Sequence, residues 1–298
     1  MKKEASTAEE FDFLSAQKNS QFRDVMRRLF KNKAAVAGLI FLVFLILTAI
    51  FAGVIFDYDT QCINQNISQR LQWPSAEHIF GTDEYGRDLL VRIVFGSRVS
   101  LSIGFIAVAF GLVVGGVLGA VAGFFGGRID NLIMRICDVF LAVPMMLMAI
   151  VIVAALGASI VNLVIALSIS SVPTFARIVR SAVLTVRDME YVEAARAIGV
   201  KTPLILFRYI LPNCMGPIIV QTTLRIAATI SNTAALSFLG LGVKAPQPEW
   251  GALLSSGREF IRDNSYLACI TGICIMLTIL ALNLLGDGLR DALDPRLK

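Results

Sequence analysis

Few residues of this chain are placed to do chemistry, because most of its length is apolar. One arginine, Arg225, lies near the middle of a long apolar run. A charge at that depth in a membrane costs about 2.5–3.5 kcal/mol on insertion scales, so the side chain should face a cavity or a partner rather than lipid. Thr233 follows on the same stretch and keeps it polar. We predict that Arg225 and Thr233 line a substrate path, with Arg225 facing a carboxylate.

The other reactive residue types argue against an enzyme, a metal protein or an ATPase. The five cysteines include no Cys-x-x-Cys pair, and His78 is the only histidine, so a metal site is not predicted. We expect His78 to be a hydrogen-bonded loop residue. No catalytic dyad is recognisable in the apolar runs. The sequence also contains no G-x-x-x-x-G-K-[ST] loop to hold ATP phosphates. We expect no cofactor bound by this chain.

The elements that must position these residues are membrane helices. Of the 298 residues, 56% are hydrophobic and 16% are charged, whereas a soluble domain has about 25% charged residues. A bilayer is crossed by about 20 apolar residues in a helix. The sequence therefore predicts an all-α integral membrane protein with six transmembrane helices. The six runs are Ala34–Phe56, Val99–Gly123, Ile133–Leu156, Ile160–Ile178, Cys214–Leu239 and Tyr266–Leu285.

Residues 1–33 are predicted to be a cytoplasmic tail, and residues 34–298 a single membrane domain. The first residues are acidic after two lysines and have no short apolar core, so we do not expect a cleaved signal peptide. A helix is predicted from Ser20, with one apolar stripe and basic flanks, lying at the inner leaflet. A basic flank that only fixes topology is the alternative. The stripe consists of Phe22, Val25, Met26, Leu29 and Phe30.

The distribution of basic residues predicts the orientation. If the N-terminus is inside, the inner segments hold 18 of the 27 lysines and arginines and the outer segments hold 7. An excess on the inside is the rule for membrane proteins. Both termini are thus predicted to be cytoplasmic, and the net charge of +5 is explained by topology rather than nucleic-acid binding.

Local patterns inside the runs predict how the helices pack and bend. Glycines recur every four residues from position 111 to position 123, which favours close packing within the bundle or against a second membrane protein. Pro144 and Pro173 are expected to kink or unwind their helices. Arg135 and Asp138 are spaced to pair on one helix face. Two further basic residues, Arg177 and Arg180, are expected to anchor the inner interface.

The longest polar-bearing break in the second half spans residues 191–213. It is predicted to be a helix over residues 188–198, a left-handed cap at Gly199, and a second helix over residues 204–211 that Pro212 ends. Thr202 is predicted to cap that second helix, with Pro203 at its first position. An ordinary helical hairpin on the membrane surface would give the same pattern.

This break resembles the EAA loop of ABC-transporter permeases, the membrane subunits of binding-protein-dependent importers. In that family the loop lies between helices 4 and 5 at the cytoplasmic face, where its short helix docks on an ATPase subunit. The resemblance implies a coupling loop over residues 181–213. The motif positions are Glu193, Ala194, Ala195, Gly199, Tyr209, Leu211 and Pro212. The implied contacts to the ATPase are Glu193, Ala194, Ala195, Gly199, Thr202 and Pro203.

Other strings resemble one branch of the family, the C-type subunit of dipeptide and oligopeptide importers. They include GTDEYGRD at residues 81–88, where we expect a turn at Gly81 and a helix capped by Thr82 or Asp83. SFLGLG and PQPEWG follow at residues 237–242 and 246–251, and GDGLRDALDPR at residues 286–296, where a glycine is expected to end the last helix. The branch often has an acidic residue where this chain has Thr233. The second outer loop is a candidate contact for a binding protein, through Pro248, Glu249 and Trp250.

The resemblance implies half of a pore for peptides in the bacterial inner membrane. The expected partners are a second homologous permease, two ATPase subunits that use ATP and magnesium, an extracytoplasmic binding protein and membrane lipid. Import of nickel, opines or glutathione-like compounds by the same architecture is one alternative. An ion-coupled secondary transporter is another, but the sequence has few intramembrane carboxylates for a proton relay.

Overall fold

A computed structural model describes residues 23–293, which are almost entirely helical. A first helix, α1, covers residues 23–31. Ten helices follow, with a short π-helical turn (Tyr58–Ile63) and 3-10 turn (Ile67–Gln69) in the loop after α2. They are α2 (Lys33–Ile55), α3 (Leu89–Phe125), α4 (Gly127–Ala142), α5 (Met145–Leu156), α6 (Ile160–Val186), α7 (Glu190–Ala197), α8 (Thr202–Leu204), α9 (Met215–Phe238), α10 (Trp250–Glu259) and α11 (Tyr266–Leu293).

Five continuous helices within residues 23–293 are long and apolar enough to cross a bilayer. The pair α4–α5 makes a sixth span if the two are counted together, although they bend by 84° at their break. Pro144 lies in that break, where the sequence predicted a kink. Pro173, in contrast, lies inside α6, which continues past it to Val186.

The second span begins earlier than predicted, and its cap is a different residue. A helix capped by Thr82 or Asp83 is not present; Asp88 accepts a hydrogen bond from the Val91 N–H at 3.1 Å and caps α3. Asp83 is instead buried in an ion-pair network, described below. The 37 residues of α3 join the predicted short helix to the predicted span.

Two predicted helix ends are wrong. Pro212 does not end a helix, because a π-helical turn (Ile205–Ile210) and a 3-10 turn (Leu211–Cys214) carry the chain from α8 into α9. Such turns absorb a proline's missing N–H without ending the helical path. Gly286 and Gly288 lie within α11, and a Cβ added to Gly288 would collide with the Ala35 side chain. This glycine therefore serves close helix packing rather than a helix end.

The glycine ridge of α3 packs against the backbone of α6. Cβ atoms added to Gly115 and Gly119 would collide with the carbonyl oxygens of Val172 and Ala176. The packing predicted for these glycines is thus confirmed within the chain. Among residues 23–293, α3 and α6 share the most extensive contact of any two helices.

The stripe of α1 packs onto the last helix. Leu29 is buried together with Ala292, and Val25 and Met26 lie half-buried beside them. Phe30 is exposed, and Phe22 lies outside the described residues. The predicted helix is present, but its apolar side covers α11 rather than lipid. This contact places the start of α2 and the end of α11 at the same end of the bundle.

Candidate coupling surface and transport path

α7 is fixed to the bundle by its inward-facing side chains. Val192 is fully buried and Ala195 is 3% exposed, and both join an apolar cluster with Ile205 and Ile210. The predicted cap at Gly199 is present, with φ at +78°. Its N–H donates to the Arg196 carbonyl, and the Val200 N–H donates to the Ala195 carbonyl, each within 3.1 Å. This pair of hydrogen bonds is the Schellman motif, which ends a helix sharply.

The outward face of this segment is a continuous exposed surface, which we call the coupling surface. Five of its six predicted members are exposed, and the exception is Ala195, whose methyl group points into the cluster. The Thr202 hydroxyl caps no helix, because Thr202 lies in the first turn and Lys201 occupies the cap position. Sequence reasoning missed one large exposed apolar residue of this surface, Ile198 at 79%. The exposed predicted members are Glu193, Ala194, Gly199, Thr202 and Pro203.

The helices next to the coupling surface are joined by ion pairs. Asp130 accepts two hydrogen bonds from Arg180, at 2.5 and 2.6 Å. Asp138 accepts from Arg177 at 2.7 Å, not from Arg135 as the helical spacing predicted. The two arginines predicted to be interface anchors therefore bind α4 to α6.

A second set of contacts joins the same end of α3 to α7. Arg187 donates to the Gly123 carbonyl at 2.9 Å, and the guanidinium of Arg196 lies 5.3 Å from the centre of the Phe124 ring. Together with the α4–α6 pairs, these contacts surround the coupling surface with fixed neighbours.

The opposite end of the bundle is built around Asp83. This carboxylate is 2% exposed and accepts hydrogen bonds from Arg87 at 2.7 Å and Arg92 at 2.5 Å. The Tyr266 hydroxyl donates to the Thr82 carbonyl at 2.6 Å, which links this turn to the start of α11. The GTDEYGRD string thus forms a buried clasp between the loop after α2, α3 and α11.

Two ionisable groups beside the clasp have distinct environments. His78 pairs with Asp88 at 2.9 Å through Nδ1, as predicted for a hydrogen-bonded loop histidine, whereas its Nε2 is buried and has no partner among residues 23–293. Burial, together with the neighbouring charge of Asp83, raises the pKa of the Glu84 carboxyl. Proton uptake by Glu84 therefore becomes easier in the folded loop than in the unfolded chain.

The side chains proposed to meet a binding protein are buried. Pro248 lies in the interior, and Glu249 and Trp250 are both 0% exposed. The Trp250 indole N–H donates to the Ile93 carbonyl at 3.0 Å, which holds α10 against α3. These three residues anchor the loop in this conformation. The exposed side chains between α9 and α10 include those of residues 244–247.

The two residues predicted for the substrate path lie in different surroundings. Arg225 is partly buried and donates to the Ser171 hydroxyl at 3.3 Å and the Ser170 carbonyl at 3.1 Å. No carboxylate within residues 23–293 pairs with it. Thr233 is fully buried, and its hydroxyl donates to the Thr229 carbonyl at 2.9 Å. Arg225 therefore rests against α6 on neutral partners, whereas Thr233 lines no open path in this conformation.

Comparison with known proteins agrees with this architecture. The family model for a binding-protein-dependent transport system inner membrane component matches residues 111–298. A model for the N-terminal transmembrane domain of oligopeptide transport permease C matches residues 20–74. The inward-facing MetNI methionine ABC transporter shares the fold, with a TM-score of 0.56 at 19% identity over 69% of this chain and 96% of that chain. The chain belongs to the family of binding-protein-dependent transport system inner membrane components.

Curated relatives extend over nearly the whole chain. The dipeptide transport system permease protein DppC of Alkalihalophilus pseudofirmus is 50% identical over 94% of this chain and 91% of its own length. The di/tripeptide permease DppC of Pseudomonas aeruginosa is 43% identical over 94% and 93%. The glutathione permease GsiD of Pectobacterium atrosepticum is 44% identical over 93% and 92%. The chain is the permease subunit of an ABC importer, a multi-pass protein of the bacterial inner membrane, and the family's ATPase activity lies on separate subunits.

Proposed function

We propose that this chain forms half of a translocation pore for dipeptides and oligopeptides that an extracytoplasmic binding protein delivers. Two of the three relatives described above are named for dipeptide or di/tripeptide transport. The third is named for glutathione, itself a small peptide, so glutathione-like compounds remain the nearest alternative cargo. Nickel and opines are more distant alternatives.

The coupling surface is the observation that best supports a pore driven by ATP. Its apolar Ile198 side chain is 79% exposed, which is typical of a site that a partner protein covers. Glu193 adds one charge that a partner can bind by a charge-assisted hydrogen bond. Val192 and Ala195 fix the helix from behind, so a force on this surface moves the helix without deforming it. These properties fit docking of an ATPase subunit.

The orientation follows from the same surface. The N-terminal helix α1, the end of α11 and the coupling surface lie at one end of the bundle, where the basic residues are in excess. We place this end, and hence both termini, in the cytoplasm. The Asp83 clasp and α10 then lie outside, where the exposed residues 244–247 offer a contact to the binding protein.

The complete importer would contain this chain, a second homologous permease, two ATPase subunits and the binding protein. ATP and magnesium are used by the ATPase subunits. Binding of ATP closes those subunits, draws the two coupling surfaces together and opens the pore outward; hydrolysis resets it. An ion-coupled carrier would not need the coupling surface.

Arg225 is the residue we propose to meet the cargo. Among residues 23–293 its guanidinium has only neutral oxygen partners, and a desolvated cation gains most from an added anion. A peptide's terminal carboxylate is such an anion, and glutathione has carboxylates as well. Thr233 is too buried to meet cargo unless α9 moves, so we place it second in this path.

Purification of the tagged chain from its native membrane tests the importer assignment. We expect two ATPase subunits and a second permease to co-purify, and we expect the ATPases to be lost from a Glu193→Ala, Gly199→Arg double variant. The matched control is Asp263→Ala with Gly157→Arg, because Gly157 also has positive φ and open space but lies at the other end. This control should retain the ATPases.

The binding protein then identifies the cargo class. Titration of that protein with alanyl-alanine, reduced glutathione and Ni²⁺ should show binding of the dipeptide first. Vesicles reconstituted with the importer should take up the dipeptide only when ATP is present on the side of the membrane where the ATPase subunits lie. Uptake driven by an ion gradient without ATP, or purification of the chain alone, would overturn the importer assignment.

A further inference from the structure

The helix α4 has few buried residues, yet it is attached firmly to α6. Only Asp130 and Cys137 are buried along its 16 residues. Two ion pairs join it to α6, Arg180–Asp130 and Arg177–Asp138. From Asp130 to Asp138 the chain runs forward along α4, while their partners run backward along α6 from Arg180 to Arg177. The two helices are therefore antiparallel and are joined at two points.

The two ion pairs differ in strength. Asp130 is 12% exposed and Arg180 is 31% exposed, and the two side chains bond through both oxygens and two nitrogens. Bidentate pairs of this kind fix geometry as well as adding energy. Arg177 and Asp138 are about half exposed and make one bond, which contributes little in water. The Arg180–Asp130 pair is therefore the principal attachment.

The far end of α4 is a break in the helical backbone. Val143 and Pro144 are extended, with ψ values of 126° and 131°. Pro144 has no N–H to donate back to α4, so no helical hydrogen bond of its own crosses this point. Beyond the break, Met145 at the start of α5 accepts a hydrogen bond from the Asn232 amide, with a nitrogen-to-sulfur distance of 3.6 Å. Rotation between α4 and α5 is thus concentrated at Val143–Pro144, and α5 touches α9 directly.

The other partner of α4 leads to the coupling surface. α6 ends at Val186, and only residues 187–189 separate it from α7. The Arg187 N–H donates to the Val183 carbonyl at 2.9 Å and continues the helical pattern. A displacement of α7 is therefore carried into the end of α6 where Arg180 lies.

We propose that Arg180 and Asp130 are positioning residues that make α4 travel with α6 and α7, so that movement of the coupling surface is delivered to the break at Pro144 and displaces α5. This inference rests on the proposed function, in which an ATPase moves the coupling surface. It assigns to the ion pair the transmission of that movement rather than the docking itself.

Spin-label distances in the whole importer complex test this assignment. One label pair, at Ser181 and Ile136, spans the ion pair; a second, at Val139 and Val151, spans the break. All four side chains are exposed, so the labels disturb no packing. On trapping with ATP and vanadate we expect the first distance to stay constant and the second to change. In Asp130→Asn the second distance should stop responding, and substrate uptake per ATP hydrolysed should fall about fivefold or more.

Two further variants separate transmission from folding. Exchange of the charges, Asp130→Arg with Arg180→Asp, should restore the response at the break. Asp138→Asn should have a smaller effect than Asp130→Asn, and Asp263→Asn, which alters an exposed side chain at the opposite end of the bundle, should have none. The proposal is overturned if Asp130→Asn responds as the unchanged protein does. It is also overturned if that variant loses the ATPase subunits and the charge exchange does not restore them. Absence of the ATPases from the unchanged complex would instead refute the proposed function.

Discussion

The Ser100 hydroxyl donates a hydrogen bond of 3.0 Å to the Glu249 carboxylate, which joins two residues that are 149 positions apart. The same carboxylate accepts from the N–H groups of Gly251 and Ala252, each at 3.0 Å. Glu249 is 0% exposed, and a buried carboxylate is tolerated only when its oxygens are bonded in this way. The N-terminus of α10 supplies two of the donors and a favourable dipole. The Glu249 carboxylate thus fixes α10 to α3 together with the Trp250 indole.

Removal of this carboxylate should destabilise the outer end of the protein. In Glu249→Ala the Ser100 hydroxyl and two buried N–H groups lose their acceptor, and each such loss costs about 1–3 kcal/mol. We expect the unfolding temperature of the purified complex to fall by several degrees. In a background that lacks the exposed Cys269 and the half-buried Cys274, a thiol-reactive dye reports it, because Cys62, Cys137 and Cys214 are buried until unfolding.

The control for this variant is on the same helix. Glu259 is exposed at the other end of α10, so Glu259→Ala should leave the unfolding temperature unchanged. If the two variants melt alike, the carboxylate of Glu249 does not hold α10.

The contact between α3 and α6 should tolerate no methyl group at Gly119. A Cβ there would collide with the Ala176 carbonyl, and backbone cannot move aside as a flexible side chain can. Gly119→Ala should therefore reduce the yield of folded protein severely. Gly116 provides the matched control, because its Cβ would meet nothing within 4 Å. Gly116→Ala should be neutral or stabilising by up to about 1 kcal/mol, since alanine is the better helix former. Fluorescence-detected size exclusion measures both, and equal yields would contradict the packing role.

Patterns that depend on local chemistry predicted much of this fold. The apolar runs located the membrane helices, since length and hydropathy are set within each segment. Gly199 was recognised as a helix end because a left-handed cap needs glycine at that position. The glycine ridge of α3 predicted close packing for a similar reason, although its partner α6 was not identified.

Contacts between distant segments could not be predicted. Asp138 has a candidate partner three residues away in Arg135, yet it binds Arg177, 39 residues further along the chain. Glu249 and Trp250 look like exposed loop residues in sequence and are buried, because α10 folds back onto α3. Helical spacing gives the face on which a residue lies, but not the element that covers it. The prediction that a helix ends at Pro212 was wrong for a related reason. The π-helical turn before it leaves no signal in a single sequence.

Impermeant maleimide labelling of single cysteines should report the orientation. Gln65 is exposed in the loop after α2, and Ile198 is exposed on the coupling surface. In intact cells, Gln65→Cys should react and Ile198→Cys should not; in inside-out vesicles the result should reverse. Reaction of Ile198→Cys in intact cells would place the coupling surface outside and contradict the proposed topology.

A variant that keeps the native Cys62 as its single cysteine offers a control for that experiment. Burial raises the pKa of its thiol to about 11, so the reactive thiolate is scarce at neutral pH. Its labelling should be far slower than that of Gln65→Cys. Because pH lies below this pKa, the thiolate fraction, and with it the rate, should rise about tenfold per pH unit up to pH 11. A flat pH profile would show that access to the buried thiol, rather than its ionisation, limits the reaction.

The guanidinium of Arg225 should distinguish peptides by their terminal carboxylate. If it binds that group during passage, Arg225→Ala should lower ATP-dependent uptake of alanyl-alanine at limiting substrate by about tenfold or more, the loss expected when one partner of a buried charge pair is removed. The unchanged protein should take up the same dipeptide with an amidated C-terminus more slowly. Arg225→Ala should not lower that uptake further. Arg225→Lys keeps the charge but not the planar fork, and should lie between the two. Arg98→Ala is the matched control, since Arg98 is an exposed arginine on another spanning helix.

The amidated substrate is decisive. If Arg225→Ala reduces uptake of both dipeptides equally, the guanidinium supports the packing of α9 on α6 through Ser170 and Ser171, and the cargo's carboxylate is bound elsewhere.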